Sequence, residues 1–80
     1  MQNTPGVPLT VTVSDRSGEV HRVVFAEHAR ALADYRRRIA ELEAEGYLRD
    51  GSEVAVYGSR WSQAMRCGDR RATVELAVSP

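Results

Sequence analysis

Leu9 to Ser14, LTVTVS, alternates apolar and polar residues at period two, as a half-buried strand does. Asp15, Arg16, Ser17 and Gly18 supply turn chemistry: Asp to open the turn and Gly to take a positive φ. Glu19 to Phe25, EVHRVVF, is rich in β-branched residues and reads as the return strand. A four-residue loop places Val13 opposite Val20 and Leu9 opposite Val24 on one apolar face. Arg22 then falls opposite Val11 on that same face, a conflict relieved only at a sheet edge where the guanidinium can snorkel outward.

The period then changes. From Ala26 to Glu45 the apolar positions Leu32, Tyr35, Ile39 and Leu42 continue from Phe25 at spacings of seven, three, four and three, one stripe on a helix. Glu27, Arg30, Asp34, Arg37, Arg38, Glu41 and Glu45 fall on the other side. Asp34 with Arg38, and Arg37 with Glu41, are spaced to pair across one turn. Gly46 is a natural stop, and as C′ of a Schellman motif it would bring Tyr47 against Leu42. No Ser, Thr, Asp or Asn stands before Glu27 to cap the start, so packing must hold this helix.

Asp50 and Gly51 make a further turn. Glu53 to Tyr57 reads as a strand, and so does Ala72 to Val78. Gly58 to Arg71 looks like a loop until Gly68-Asp69 is read as a two-residue hairpin signal. That turn pairs Cys67 with Arg70, Arg66 with Arg71, Met65 with Ala72, Gln63 with Val74 and Trp61 with Leu76. Trp61, Met65, Ala72, Val74, Leu76 and Val78 then share one side. Arg60, Ser62, Ala64, Arg66, Arg71, Thr73, Glu75 and Ala77 share the other. A one-residue slip would scramble this division. Val54 and Val56 sit in the opposite phase to Trp61, and a bulge near Gly58 and Ser59 would correct it.

Composition narrows the possibilities. Eighty residues make one domain with one small core, over 9–79, after a lead at 1–8. The N-terminus lacks the basic and apolar regions of a signal peptide, and no apolar run is long enough to span a membrane. With a single cysteine, a reducing cytoplasm is the expected location. Formal charge is zero, so nothing pulls the whole chain toward nucleic acid or anionic lipid. All eleven basic residues are arginine; the expected reading is the codon bias of a GC-rich bacterial or phage genome, and the alternative is selection for bidentate contacts to phosphate or carboxylate.

The stretch Tyr57 to Arg71 holds the only Trp, the only Cys and four of the arginines. An inward position assigns Trp61 and Met65 to the core rather than to a ligand pocket. Arg60, Arg66, Arg70 and Arg71 are the candidate binding residues, and no aromatic platform for single-strand stacking accompanies them. Arg36, Arg37 and Arg38 point in different directions on a helix and make no patch. Cys67 has positive neighbours but no base in a recognisable triad, so it is expected as an incidental exposed thiol. His21, His28 and Cys67 lack metal-ligand spacing, and no phosphate loop or hydrolase motif is present. No catalytic residue, cofactor or metal is therefore expected.

The expected fold is α+β, in the order strand, strand, helix, strand, strand. One helix covers one face of a mainly antiparallel four-stranded sheet. The expected function is a non-catalytic protein-interaction or accessory module, acting through the Arg-bearing sheet face and the tip at Cys67 to Arg71. Its partner is another protein or a second copy in a homodimer. The alternatives are nucleic-acid binding through Arg60, Arg66, Arg70 and Arg71, and a small oligomeric structural component such as one of a phage particle.

Overall fold

A computed structural model describes residues 8–56 and 60–78. One helix packs on one face of an antiparallel sheet. The strands are β1 (Leu9–Asp15), β2 (Gly18–Phe25), β3 (Leu48–Arg49), β4 (Val54–Val56), β5 (Arg60–Cys67) and β6 (Arg70–Val78), with α1 (His28–Ala44) after β2. The sheet has six strands rather than the expected four, in the order β2-β1-β6-β5-β3, with β4 also paired to β5. Two differences account for the count. Arg60–Cys67 is a full strand distinct from β4, and β3 is a two-residue strand too short to show as a pattern. The lead at 1–7, Tyr57 and the bulge near Gly58 and Ser59 lie outside the described residues.

The long hairpin has the register its turn chemistry predicts, from Cys67↔Arg70 through Trp61↔Leu76. Gly68 takes φ +61°, the positive value required at the first central position of a II′ turn. The first hairpin differs. Its turn is the two residues Arg16 and Ser17, and the frame it sets continues only through Ser14↔Glu19. A bulge at Val20 then shifts the ladder, pairing Val13 with His21 and Leu9 with Phe25 rather than Val20 and Val24. Arg22 moves opposite Thr12, off the core face, so the bulge removes the conflict that a regular ladder would create.

β1 and β6 lie at the middle of the sheet, and the core is built over them. Val11, Val74 and Leu76 are fully buried, under Ala31, Tyr35 and Ile39 of the helix. Leu32, Leu42 and Phe25 pack partly buried against this cluster. Met65 is buried, and Trp61 packs against the core with its ring edge to His28 at 5.4 Å between centroids. No helix among the described residues is long and apolar enough to cross a membrane.

The helix ends support the capping argument. Glu27 makes no side-chain cap at the start. At the other end the Tyr47 N–H donates to Leu42 O and the Gly46 N–H to Glu43 O, both at 3.0 Å, the two bonds of a Schellman motif. Gly46 sits at φ +102°. Asp34 departs from the expected solvated face. It is buried and accepts from Arg37 and from Arg38 Nε at 3.4 Å, while Arg38 rather than Arg37 reaches Glu41. The cause is the sheet below. Arg38 is drawn inward, where its Nη2 lies 2.6 Å from His21 Nε2 on β2. Arginine can only donate, so His21 Nε2 is the accepting atom of that contact.

Two further polar links fasten the connector between β3 and β4. Tyr35 Oη donates to Glu53 at 2.6 Å, and the buried Gln63 amide donates to Gly51 O at 3.1 Å. Burial first, then the Glu53 hydrogen bond, hold the Tyr35 phenol well above its ordinary 10.0.

Gly46→Ala should cost about 1 kcal/mol in urea unfolding, because alanine resists positive φ. The added methyl would meet only Cys67 Sγ at an ordinary 3.7 Å, so steric clash adds little. Tyr35 makes stability fall at alkaline pH. The unfolded phenol ionises first, so its contribution is intact below 10.0 and lost progressively above it. Melting curves on both sides of that pH should show Tyr35→Phe less stable below it, with the gap narrowing above.

Candidate functional site

The candidate arginines lie on β5 and β6, and strand phase decides which way each points. Arg60, Arg66 and Arg71 are on the outer face, the side away from the helix. Arg70 shares the phase of Ala72 and Val74 and lies on the helix side of the tip. Its guanidinium sits over the Tyr47 ring, 5.4 Å from the centroid. The structure therefore does not bring the four candidates together.

On the outer face they separate further. Arg60 Nε donates to Glu75 Oε2 at 2.7 Å, the diagonal pairing the register implies. Arg66 is six residues along β5, roughly 20 Å away at strand rise. It stands directly opposite Arg71 on β6 and opposite Leu48 on β3. Arg71 Nη1 has Asp50 Oδ2 at 3.5 Å. Asp50 is held by its own N–H, which donates to Ala64 O at 2.8 Å. Arg66 has no ion pair among the described residues.

The apolar residues beside them were not expected. Leu48 is 73% exposed, Val54 58% and Val56 51%. Register puts each on the outer face, opposite Arg66, Ser62 and Arg60 respectively. The phase conflict between Val54, Val56 and Trp61 is real: both valines are exposed, and Ala55 takes the inner position opposite Trp61. The edge thus carries an aliphatic row against an arginine-bearing strand. The middle of the face is low: Thr10 and Thr12 on β1, Thr73 and Ala77 on β6, Ser62 and Ala64 on β5.

Comparison with protein-family models, curated proteins and solved structures finds no match to this chain. The reading of the site rests on its geometry. Cys67, expected as an exposed thiol at the tip, is half-buried on the helix side beside Gly46, and its sulfur faces the helix end. The first hairpin turn also belongs to this end of the molecule: Arg16 Nη2 donates to Asp69 O at 3.3 Å. Arg16, Leu48 and Asp50 are the neighbours that strand pattern alone does not supply.

Like charges directly opposite across a strand pair are unfavourable. Arg66→Glu converts the Arg66–Arg71 pair into an attractive one and should raise stability by roughly 0.5 kcal/mol in urea unfolding. A drop in stability would show that Arg66 is held by interactions of its own.

Proposed function

We propose that this chain is a non-catalytic protein-interaction or accessory module. It works through the outer sheet face and the tip from Cys67 to Arg71, in a reducing cytoplasm where Cys67 stays a thiol. The observation that carries this is the row of exposed Leu48, Val54 and Val56 flanking Arg66 and Arg60 on a face that no described element covers. Aliphatic side chains bordered by arginine are what a partner can desolvate and hydrogen-bond at once, and arginine is the charged residue enriched at such interfaces. Arg66, facing Arg71 at a cost in stability, is the residue a partner's carboxylate would relieve.

Nucleic-acid binding through Arg60, Arg66, Arg70 and Arg71 is less well supported. Arg60 and Arg71 already face carboxylates, and Arg70 is on the other side of the sheet. Phosphate tracking needs uncompensated charge along a line. A small oligomeric structural component would use the same face against further copies.

Cross-linking with mass spectrometry should identify a partner held by the wild type and lost from both Val54→Asp/Val56→Asp and Arg66→Glu/Arg71→Glu, with circular dichroism unchanged. Retention of that partner by both variants would remove the outer face from consideration. A gel shift at low salt and light scattering separate the alternatives: retarded DNA supports the nucleic-acid reading, and a concentration-dependent mass the oligomeric one.

A further inference from the structure

β1 and β6 are antiparallel neighbours, with Asp15 paired to Ala72, so both hairpin turns stand at one end of the sheet. Between them lies a cleft of about 500 Å³. Its lining joins Arg16 from the first turn to Asp69, Arg70 and Arg71 from the second, with Tyr47 from the helix exit. Asp15 and Ser17 complete it. The lining therefore includes three arginines and two aspartates, and of the arginines Arg71 has Asp50 Oδ2 at 3.5 Å.

The carboxylate of Asp15 is turned back on its own loop. Its Oδ1 accepts from the Ser17 N–H at 2.8 Å and from Ser17 Oγ at 2.6 Å. Arg16 spends one nitrogen on a main-chain oxygen, Asp69 O, and Arg70 lies over Tyr47. Neither has an ion-pair partner among the described residues. Both heads are nonetheless held in place, Arg16 by that carbonyl and Arg70 by the ring. A guanidinium fork matches the paired oxygens of a carboxylate or phosphate, and pre-orientation lowers the entropy lost on binding.

We propose that the cleft between the two hairpin turns binds an oxyanion, a carboxylate or phosphate group, through Arg16 and Arg70. The site overlaps the binding-module reading only at the tip residues Asp69, Arg70 and Arg71; Arg16 and Tyr47 lie outside it, and the Val54→Asp/Val56→Asp variant that tests the outer face leaves the site intact.

The test is a titration of the ¹⁵N-labelled protein followed by amide and arginine Nε–H shifts. The probes are inorganic phosphate, a phosphoserine peptide and an oligoglutamate peptide, each against chloride at matched ionic strength. Saturable shifts at Arg16, Ser17, Asp69 and Arg70 are expected, weakened about tenfold in Arg16→Ala by loss of a charge-assisted hydrogen bond. Arg70→Met should weaken them similarly, and Arg16, in an exposed turn, can be replaced without threatening the fold. Tighter binding of either peptide than of inorganic phosphate identifies an acidic or phosphorylated side chain as the source. Equal binding identifies a free anion. Shifts no larger than those from chloride, or shifts unaltered in both variants, overturn the proposal.

Discussion

The ladder between β1 and β6 is the constraint on which the rest of the structure depends. It joins Leu9 to Val78 and Asp15 to Ala72, strands separated in sequence by both the helix and the β3–β5 region. Each hairpin hangs from one side of it, and the helix lies over it. Of the four residues sealed most completely, Val11, Val74 and Leu76 belong to these two strands, and the fourth, Ala31, is on the helix. A small domain has few such residues, so loss of this seam leaves two hairpins and a helix with nothing to pack against. At the margins, where apolar surface runs out, polar links take over. Arg38 reaches His21 toward the β2 edge, and Tyr35 and Gln63 hold the connector at the other. Tyr35 and Gln63 are buried, where a missing partner would cost more than the bond contributes.

Much of this was legible in the sequence, and for one reason: independent local signals agreed. At the long hairpin, Gly68-Asp69 and the alternation from Trp61 to Val78 point to one register, and the ladder has it. At the helix exit, Gly46, Tyr47 and Leu42 are spaced as a Schellman motif requires, and both its bonds are present. What was not legible depends on neighbours in space. Asp34 reads as a surface residue by helical period, but Arg38 folding inward toward His21 places it beneath the arginines. Leu48 and Arg49 form a strand only because β5 offers an edge.

The candidate site shows the same division. Strand phase placed Arg60, Arg66 and Arg71 on one face, and they share it. Phase also opposed Val54 and Val56 to Trp61. That conflict was itself information: it marks residues that belong to the outer surface rather than to a misread core. Arg70 was grouped with the others by sequence adjacency, although consecutive strand residues point to opposite sides. Asp50, Arg16 and Tyr47 entered the picture only through tertiary proximity.

The bulge at Val20 makes β2 unequal in its tolerance of length change. Between the bulge and the helix, His21 to Phe25 alternate in strict phase with Val13 to Leu9. A residue lost there would rotate everything up to the break by half a pleat, bringing Arg22 to the face that Val23 now occupies. A residue lost at the bulge would simply draw the turn into regular pairing, leaving the pairs from His21 onward untouched. A single-codon deletion scan would therefore find one permissive position in an otherwise intolerant strand, with the slack stored beside the turn.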